Sequence, residues 1–384
     1  MAFLAAPALG DLETTAKQEG GDMPLEIRFG REDWDRIAAD YAAWWTHELD
    51  RPLVQVTGVA YELDVEYPAV PHFLTNADSG ITAAELADQL WTLMTARRFY
   101  GDAFPHLFVN YGPGIAAGFM GAQVHSVPET VWFEPAQELP IDQISLRVDW
   151  TNGWWERVSE VTRALVERMG DQVQISHTDL GGNLDILASF RTTQLLLMDL
   201  YDAPEHVERL ISEITAAWIQ YYDALDALIR PGCPGTSPWA PIWVDGTSYM
   251  LQCDFSYMIS PRMFERFVIP DLVACCQHLS HGFYHLDGPG QIPHLDLLLS
   301  IERLRGIQWV PGDGNPPQHE WLDLLGRIVD GGKLCQIYLG ADSALEIVRH
   351  LGGKGFLFSV TDSMTADEAE AFLAAMERED RGRR

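Results

Sequence analysis

The segment YHLDGPGQIPHLD, residues 284–296, contains His-Leu-Asp twice with a Gly-Pro-Gly turn signal between the copies. Imidazole beside carboxylate can ligate a divalent cation, or it can move a proton as an acid–base pair. Which copy can do so depends on the element beneath it. Phe283-Tyr284 precede the first copy, and DLLLSIERL after it places apolar residues at helical spacing, so the segment reads strand, turn, helix. On a strand, His285 and Asp287 share one face while Tyr284 and Leu286 take the other. At a helix start, residues two apart diverge. His294 and Asp296 are therefore expected as a helix entry and a carboxylate matched to the helix dipole.

A third ligand for the first copy is Cys253, which follows the apolar run SYML. His285, Cys253 and Asp287 would offer zinc an imidazole, a thiolate and a carboxylate with one coordination position open. The plainer alternatives are a histidine satisfied by a neighbouring carboxylate and a cysteine that is simply core. His177 and Asp179, in HTDLGG, add a second imidazole and carboxylate, and Asp179 with Asp287 could form a metal-free acid–base pair. Polar groups directly after apolar runs nominate further positions, among them Gln252-Cys253-Asp254 and Thr361-Asp362-Ser363. Asn110, Tyr111, Trp132, Gln252, Gln308 and Trp309 are the expected substrate-binding residues, lining a mixed polar and aromatic pocket for a small organic ligand. The Trp44-Trp45 and Trp154-Trp155 pairs are expected to pack between helices and sheet. No Gly-x-Ser-x-Gly elbow and no His-Glu-x-x-His helix is present.

The elements that must position these groups alternate in βα order. Strand-like runs stand near Pro52, His106, Gln172, Ser248, Phe283, Gly306, Leu334 and Gly355, with helical stretches between them that open on Thr, Ser, Asp or Pro. Eight such units predict a single-domain (β/α)8 TIM barrel over residues 26–384, with its chemistry on the loops after the strands and residues 1–25 as a flexible tail. An open doubly wound sheet is the alternative, but no Gly-x-Gly-x-x-Gly or Walker-type loop supports it. The 384-residue chain carries a formal charge of -30. That excludes a general basic surface for nucleic acid or anionic lipid. Five cysteines without a disulfide-like spacing fit a reducing cytoplasm, and no apolar run reaches the length of a membrane span.

The run YHLDGPGQIPHLDLLLSIERLRGIQWVPGDGNPP, with LQCDFSYMISPRMFERFVIPDL, FYGDAFPHLFVNYGPG and ETVWFE before it, resembles the uroporphyrinogen decarboxylase-like superfamily. Within it the sequence is most similar to the branch of trimethylamine corrinoid protein 2 and corrinoid methyltransferases. The resemblance covers the chain from about Trp34 onward and implies a (β/α)8 barrel. It also implies one of two activities: decarboxylation of uroporphyrinogen, or zinc-dependent methyl transfer between a corrinoid protein and a thiol or small methylated substrate. The decarboxylases carry an N-terminal Arg-Gln-Ala-Gly-Arg-like segment; here the region reads RPLVQVTGVAYELDVEYP. The methyltransferases hold zinc with a His-x-Cys pair and a later Cys, which here correspond to His285, Asp287 and Ser363. The resemblance thus favours a methyltransferase with an altered ligand set, in which Cys253 substitutes for a missing thiolate and a corrinoid-carrying protein is the partner. A metal-free decarboxylase or lyase on a small organic acid and a non-catalytic binding barrel are the alternatives.

Overall fold

A computed structural model of the chain describes residues 25–58, 67–77 and 80–383. Apart from residue 25, the expected tail lies outside the described residues.

Each of the eight expected runs forms a strand: β1 Leu53–Val56, β3 His106–Leu107, β6 Gln174–Ile175, β7 Ser248–Leu251, β8 His281–Asp287, β9 Leu304–Val310, β10 Leu334–Leu339 and β11 Phe356–Val360. Among the described residues three more strands were not anticipated. β2 Tyr100–Gly101 runs antiparallel to β1, and β4 Gln123–Val127 with β5 Thr130–Glu134 makes a hairpin. The eight expected strands are parallel to their neighbours in two ladders, β1-β11-β10-β9-β8-β7 and β3-β6. Among the described residues no ladder bonds join β1 to β3 or β6 to β7. At least one helix separates each parallel strand from the next, the longest being Pro204–Ile229 between β6 and β7. Thr82 and Glu85 cap one of these helices reciprocally, and Thr365 and Glu368 cap another, as their spacing predicts.

The strands of the six-strand ladder are covered on both faces, as parallel sheets require. One face meets the helices: Tyr249 packs edge-on against Trp218 at 4.8 Å, Tyr284 against Phe264 at 6.4 Å and Trp309 against Trp321 at 5.1 Å. The opposite, inner face carries Gln55, His285, Gln308, Gln336 and Ser359, joined by hydrogen bonds. Helix Arg31–Trp45 closes the end where the strands begin. Its Trp44 stacks on Phe283 of β8 at 6.0 Å, and Trp45 donates its indole N–H to the Trp243 carbonyl at 2.9 Å. Phe283 can lie across β9 only because residue 306 is glycine: a Cβ there would sit 2.1 Å from the Phe283 ring.

Candidate functional site

β8 carries His285 on its inner face and ends at Asp287, and the turn after β7 brings a third group to them. One ligand atom from each of Asp254, His285 and Asp287 lies within 4.8 Å of the others. The turn that presents Asp254 is a short 3-10 segment, Asp254–Met258, held from outside the strand. The Asp185 carboxylate, in the first turn of helix Asn183–Arg191, accepts the backbone N–H groups of Asp254 at 3.0 Å and Phe255 at 2.7 Å. The Gly181-Gly182 pair of HTDLGG makes this approach possible. Gly181 has φ +85°, and a Cβ on Gly182 would stand 2.0 Å from the Gln252 carbonyl oxygen.

Burial raises the Asp254 carboxyl well above its ordinary value, and the carboxylates of Asp185, Asp287 and Asp179 push it further. Its Oδ1 is buried and accepts no hydrogen bond. Asp179 is pushed up to about 7, again chiefly by burial; hydrogen bonds from the Gly181 N–H at 2.9 Å and the Gln252 amide at 3.4 Å hold it lower than burial alone would. Burial lowers the His285 imidazole, while Asp287 and the bond to Gln308 draw it back. Carboxyls crowded around a neutral imidazole, with one oxygen lacking a donor, cannot all ionise unaided, and their repulsion together with burial favours the protonated forms. A divalent cation would relieve that repulsion, and one imidazole with two carboxylates is a donor set zinc accepts.

No protein-family model matches the chain, and no curated protein matches it in sequence. Among solved structures, a methyltransferase from Methanosarcina mazei superposes with TM-score 0.51 at 14% identity, over 71% of this chain and 79% of that one. The fold is methyltransferase-like. At that identity the likeness concerns the fold alone.

Within this fold, side-chain alternation decides which expected residues reach the site. Cys253 does not join the ligand group, a correction to the expected His285, Cys253 and Asp287 set. It continues the helix-facing positions Tyr249 and Leu251, and its thiol, raised by burial and by Asp185, lies near Tyr284 of the same layer. Asp254 is one residue on and follows the inner parity of Met250 and Gln252. His177 departs from expectation in the same way: its ring stacks on Tyr222 of helix Pro204–Ile229 at 4.6 Å, against the helix layer. Of the expected substrate-binding residues, Gln308 touches His285 and Gln252 touches Asp179. Asn110 binds His72 and the Gly112 N–H. Trp309 packs on Trp321, and Tyr111 is buried, its hydroxyl raised by that burial and drawn back by Arg157 of helix Gly153–Met169. Gln308 and Trp309, adjacent on β9, take opposite faces. Trp132 stands on the hairpin, 40% exposed and stacked on His125 at 5.1 Å.

Two neighbours of the centre were not anticipated. Trp239, in the irregular segment before β7, meets the His285 ring edge-on at 5.4 Å, and Asp185 braces the Asp254 turn. Only the Pro-Gly-rich character of the Trp239 segment is visible in the sequence. A cleft at the opposite end, lined by Arg36, Arg51, Asp102 and Glu377 among others, has its charges paired internally, with Arg51 forked onto Asp102 at 2.7 and 2.9 Å. No helix among the described residues is long and apolar enough to cross a membrane.

Proposed function

We propose that the two ladders are parts of one closed (β/α)8 barrel and that the chain is a methyltransferase whose centre is a divalent cation, zinc, held by Asp254, His285 and Asp287. The observation that carries the reading is the convergence of these three ligand atoms within 4.8 Å, with Asp254 Oδ1 buried and unpartnered. All three lie toward or beyond the C-terminal ends of the neighbouring parallel strands β7 and β8, where barrel enzymes assemble their chemistry. The methyltransferase-like fold supports the reaction class.

Held by Asp254, His285 and Asp287, zinc would supply a positive charge that favours the ionised form of an acceptor thiol at neutral pH, the form that accepts a methyl group. Three protein ligands leave the coordination position that such an acceptor needs. Asp254 and Asp287 supply the charge, Gln308 orients the His285 ring, and Trp239 covers its edge. The methyl donor in this proposal is a corrinoid carried by a partner protein or a small methylated compound. A uroporphyrinogen-type polycarboxylate fits poorly: the centre is acidic, and Arg51, the one arginine in the segment facing the decarboxylase motif, is engaged by Asp102 and by Asp40 at 2.9 Å.

One observation favours a second, metal-free reading. Asp179, held near 7, could serve as the acid–base group of a lyase or decarboxylase beside His285 and Asp287. Metal analysis separates the two. Protein purified without chelator should hold about one zinc per chain, and His285→Ala and Asp254→Asn should hold almost none. A parent with far less than one metal per chain, or variants that retain it, sinks the zinc centre and leaves acid–base chemistry.

A further inference from the structure

On the inner face, five neighbouring strands each contribute one polar side chain to a continuous row: His285 of β8, Gln308 of β9, Gln336 of β10, Ser359 of β11 and Gln55 of β1. Tyr41, from helix Arg31–Trp45, ends it. All six are buried, with at most 6% exposure. The register aligns them, since His285 stands opposite Gln308, Gln308 opposite Gln336, and Gln55 opposite Ser359. So many amides in a sheet interior are tolerated only if each is satisfied, because a buried polar group without a partner loses its hydration and gains nothing in return.

The direction of every bond in the row follows from its far end. The Pro241 carbonyl can only accept, so the Gln55 group 2.7 Å from it must be the amide nitrogen. Gln55 then turns its Oε1 to Ser359, whose hydroxyl donates at 2.7 Å. With its proton committed, the Ser359 oxygen accepts from Gln336 Nε2 at 3.0 Å. Gln336 Oε1 in turn accepts from Gln308 Nε2 at 2.5 Å, which leaves Gln308 Oε1 facing His285 Nδ1. An amide oxygen has no proton to give, so Nδ1 must carry one.

We infer that the Pro241 carbonyl, acting through Gln55, Ser359, Gln336 and Gln308, holds His285 in its Nδ1–H tautomer and so makes Nε2 the nitrogen that carries the lone pair. The consequence for metal binding rests on the proposed cation centre, whereas the tautomer itself does not. Gln55, Ser359, Gln336 and Gln308 are positioning residues. A neutral amide partner orients the ring as a carboxylate would, but adds no negative charge to a centre that already holds several carboxylates.

The test is nitrogen-15 NMR of histidine-labelled protein in mildly alkaline buffer, with the His285 signals identified by their loss in His285→Gln. The parent should show the proton on Nδ1 alone. Ser359→Ala removes the link that transmits the direction, so Gln308 and Gln336 can turn over together and the Nε2–H form should appear beside the first. Zinc affinity should fall by about 10–100-fold, the usual cost of losing a partner behind a ligand. Gln55→Met cuts the row at its far end and gives the same readout if Ser359→Ala does not fold. A parent with its proton on Nε2, or cut rows that leave the His285 signals unchanged, overturns the inference. If the tautomer behaves as stated but no variant or parent binds zinc, the row stands and the cation centre falls. Zinc bound to a parent of the opposite tautomer gives the converse.

Discussion

His285-Leu286-Asp287 and His294-Leu295-Asp296 are the same tripeptide on two different elements. On β8 the histidine and aspartate share a face and meet Asp254. In the second copy, His294 ends a 3-10 turn and stacks on Phe264 at 4.3 Å, while Asp296 swings out to Arg327 at 2.6 Å. His294 still touches the site indirectly, because its Nε2 bonds the Ser256 carbonyl at 2.9 Å, within the turn that presents Asp254. One copy supplies ligands and the other braces the loop that carries the third. A tripeptide has no chemistry of its own until an element aims it.

The comparison is broken most directly at the first copy. His285→Ala and Asp254→Asn should each lower zinc affinity by more than about 100-fold, beyond the usual cost of losing a residue behind a ligand, while the fold survives. Isothermal titration with zinc measures this; equal losses in His294→Ala would erase the distinction between the copies.

Next in size is the pH response of the carboxylates around the first copy. Asp179 keeps its proton up to about pH 7 in the folded chain, whereas an unfolded chain releases it near pH 4. Its contribution to stability is therefore complete below about pH 4 and disappears as the pH rises through 7. Asp179→Asn, which keeps the acceptor for the Gly181 N–H, should gain up to about 4 kcal/mol over the parent above pH 7 and little at pH 4. Denaturant unfolding of metal-free protein at the two pH values checks this, and a pH-independent difference would contradict it.

At the second copy, His294→Ala should cost about 2 kcal/mol of stability through a lost stacking contact and an unmet Ser256 carbonyl. It should weaken zinc binding by less than about tenfold, and thermal melts with zinc titration separate those two effects. The smallest change belongs to Asp296→Ala. Its ion pair with Arg327 is exposed, so stability should move by no more than about 0.5 kcal/mol, with zinc binding unaltered. A larger shift in the melts would mean that the second copy does more than brace a turn.

Much of the architecture was legible in the sequence. Eight runs of apolar and β-branched residues became the eight parallel strands, and Thr82 and Thr365, among the Thr, Ser, Asp and Pro residues expected at helix starts, became helix caps. Alternation on β8 correctly separated Tyr284 from His285. The same rule, followed beyond the end of β7, would have favoured Asp254 over Cys253. Chemical softness pointed to the thiol, but geometry selected the carboxylate one residue away. The β4–β5 hairpin and the helix that closes the strand ends were not legible, because their aromatic residues carry no signal of which surface they will meet.

What the sequence determined by itself is therefore periodic and short in range: where strands and helices lie, which residues on one strand share a face, and that a charge of -30 leaves no general basic surface. Such features depend on backbone geometry within a few residues. Tertiary structure alone decided that Asp254 joins His285 and Asp287, that Trp239 covers the imidazole, and that Gln55, Ser359, Gln336 and Gln308 form one row. These groups are separated by up to hundreds of residues, and they meet because parallel strands bring distant segments into register about 5 Å apart. The distance between them is a property of the sheet and its turns, and no local spacing encodes it.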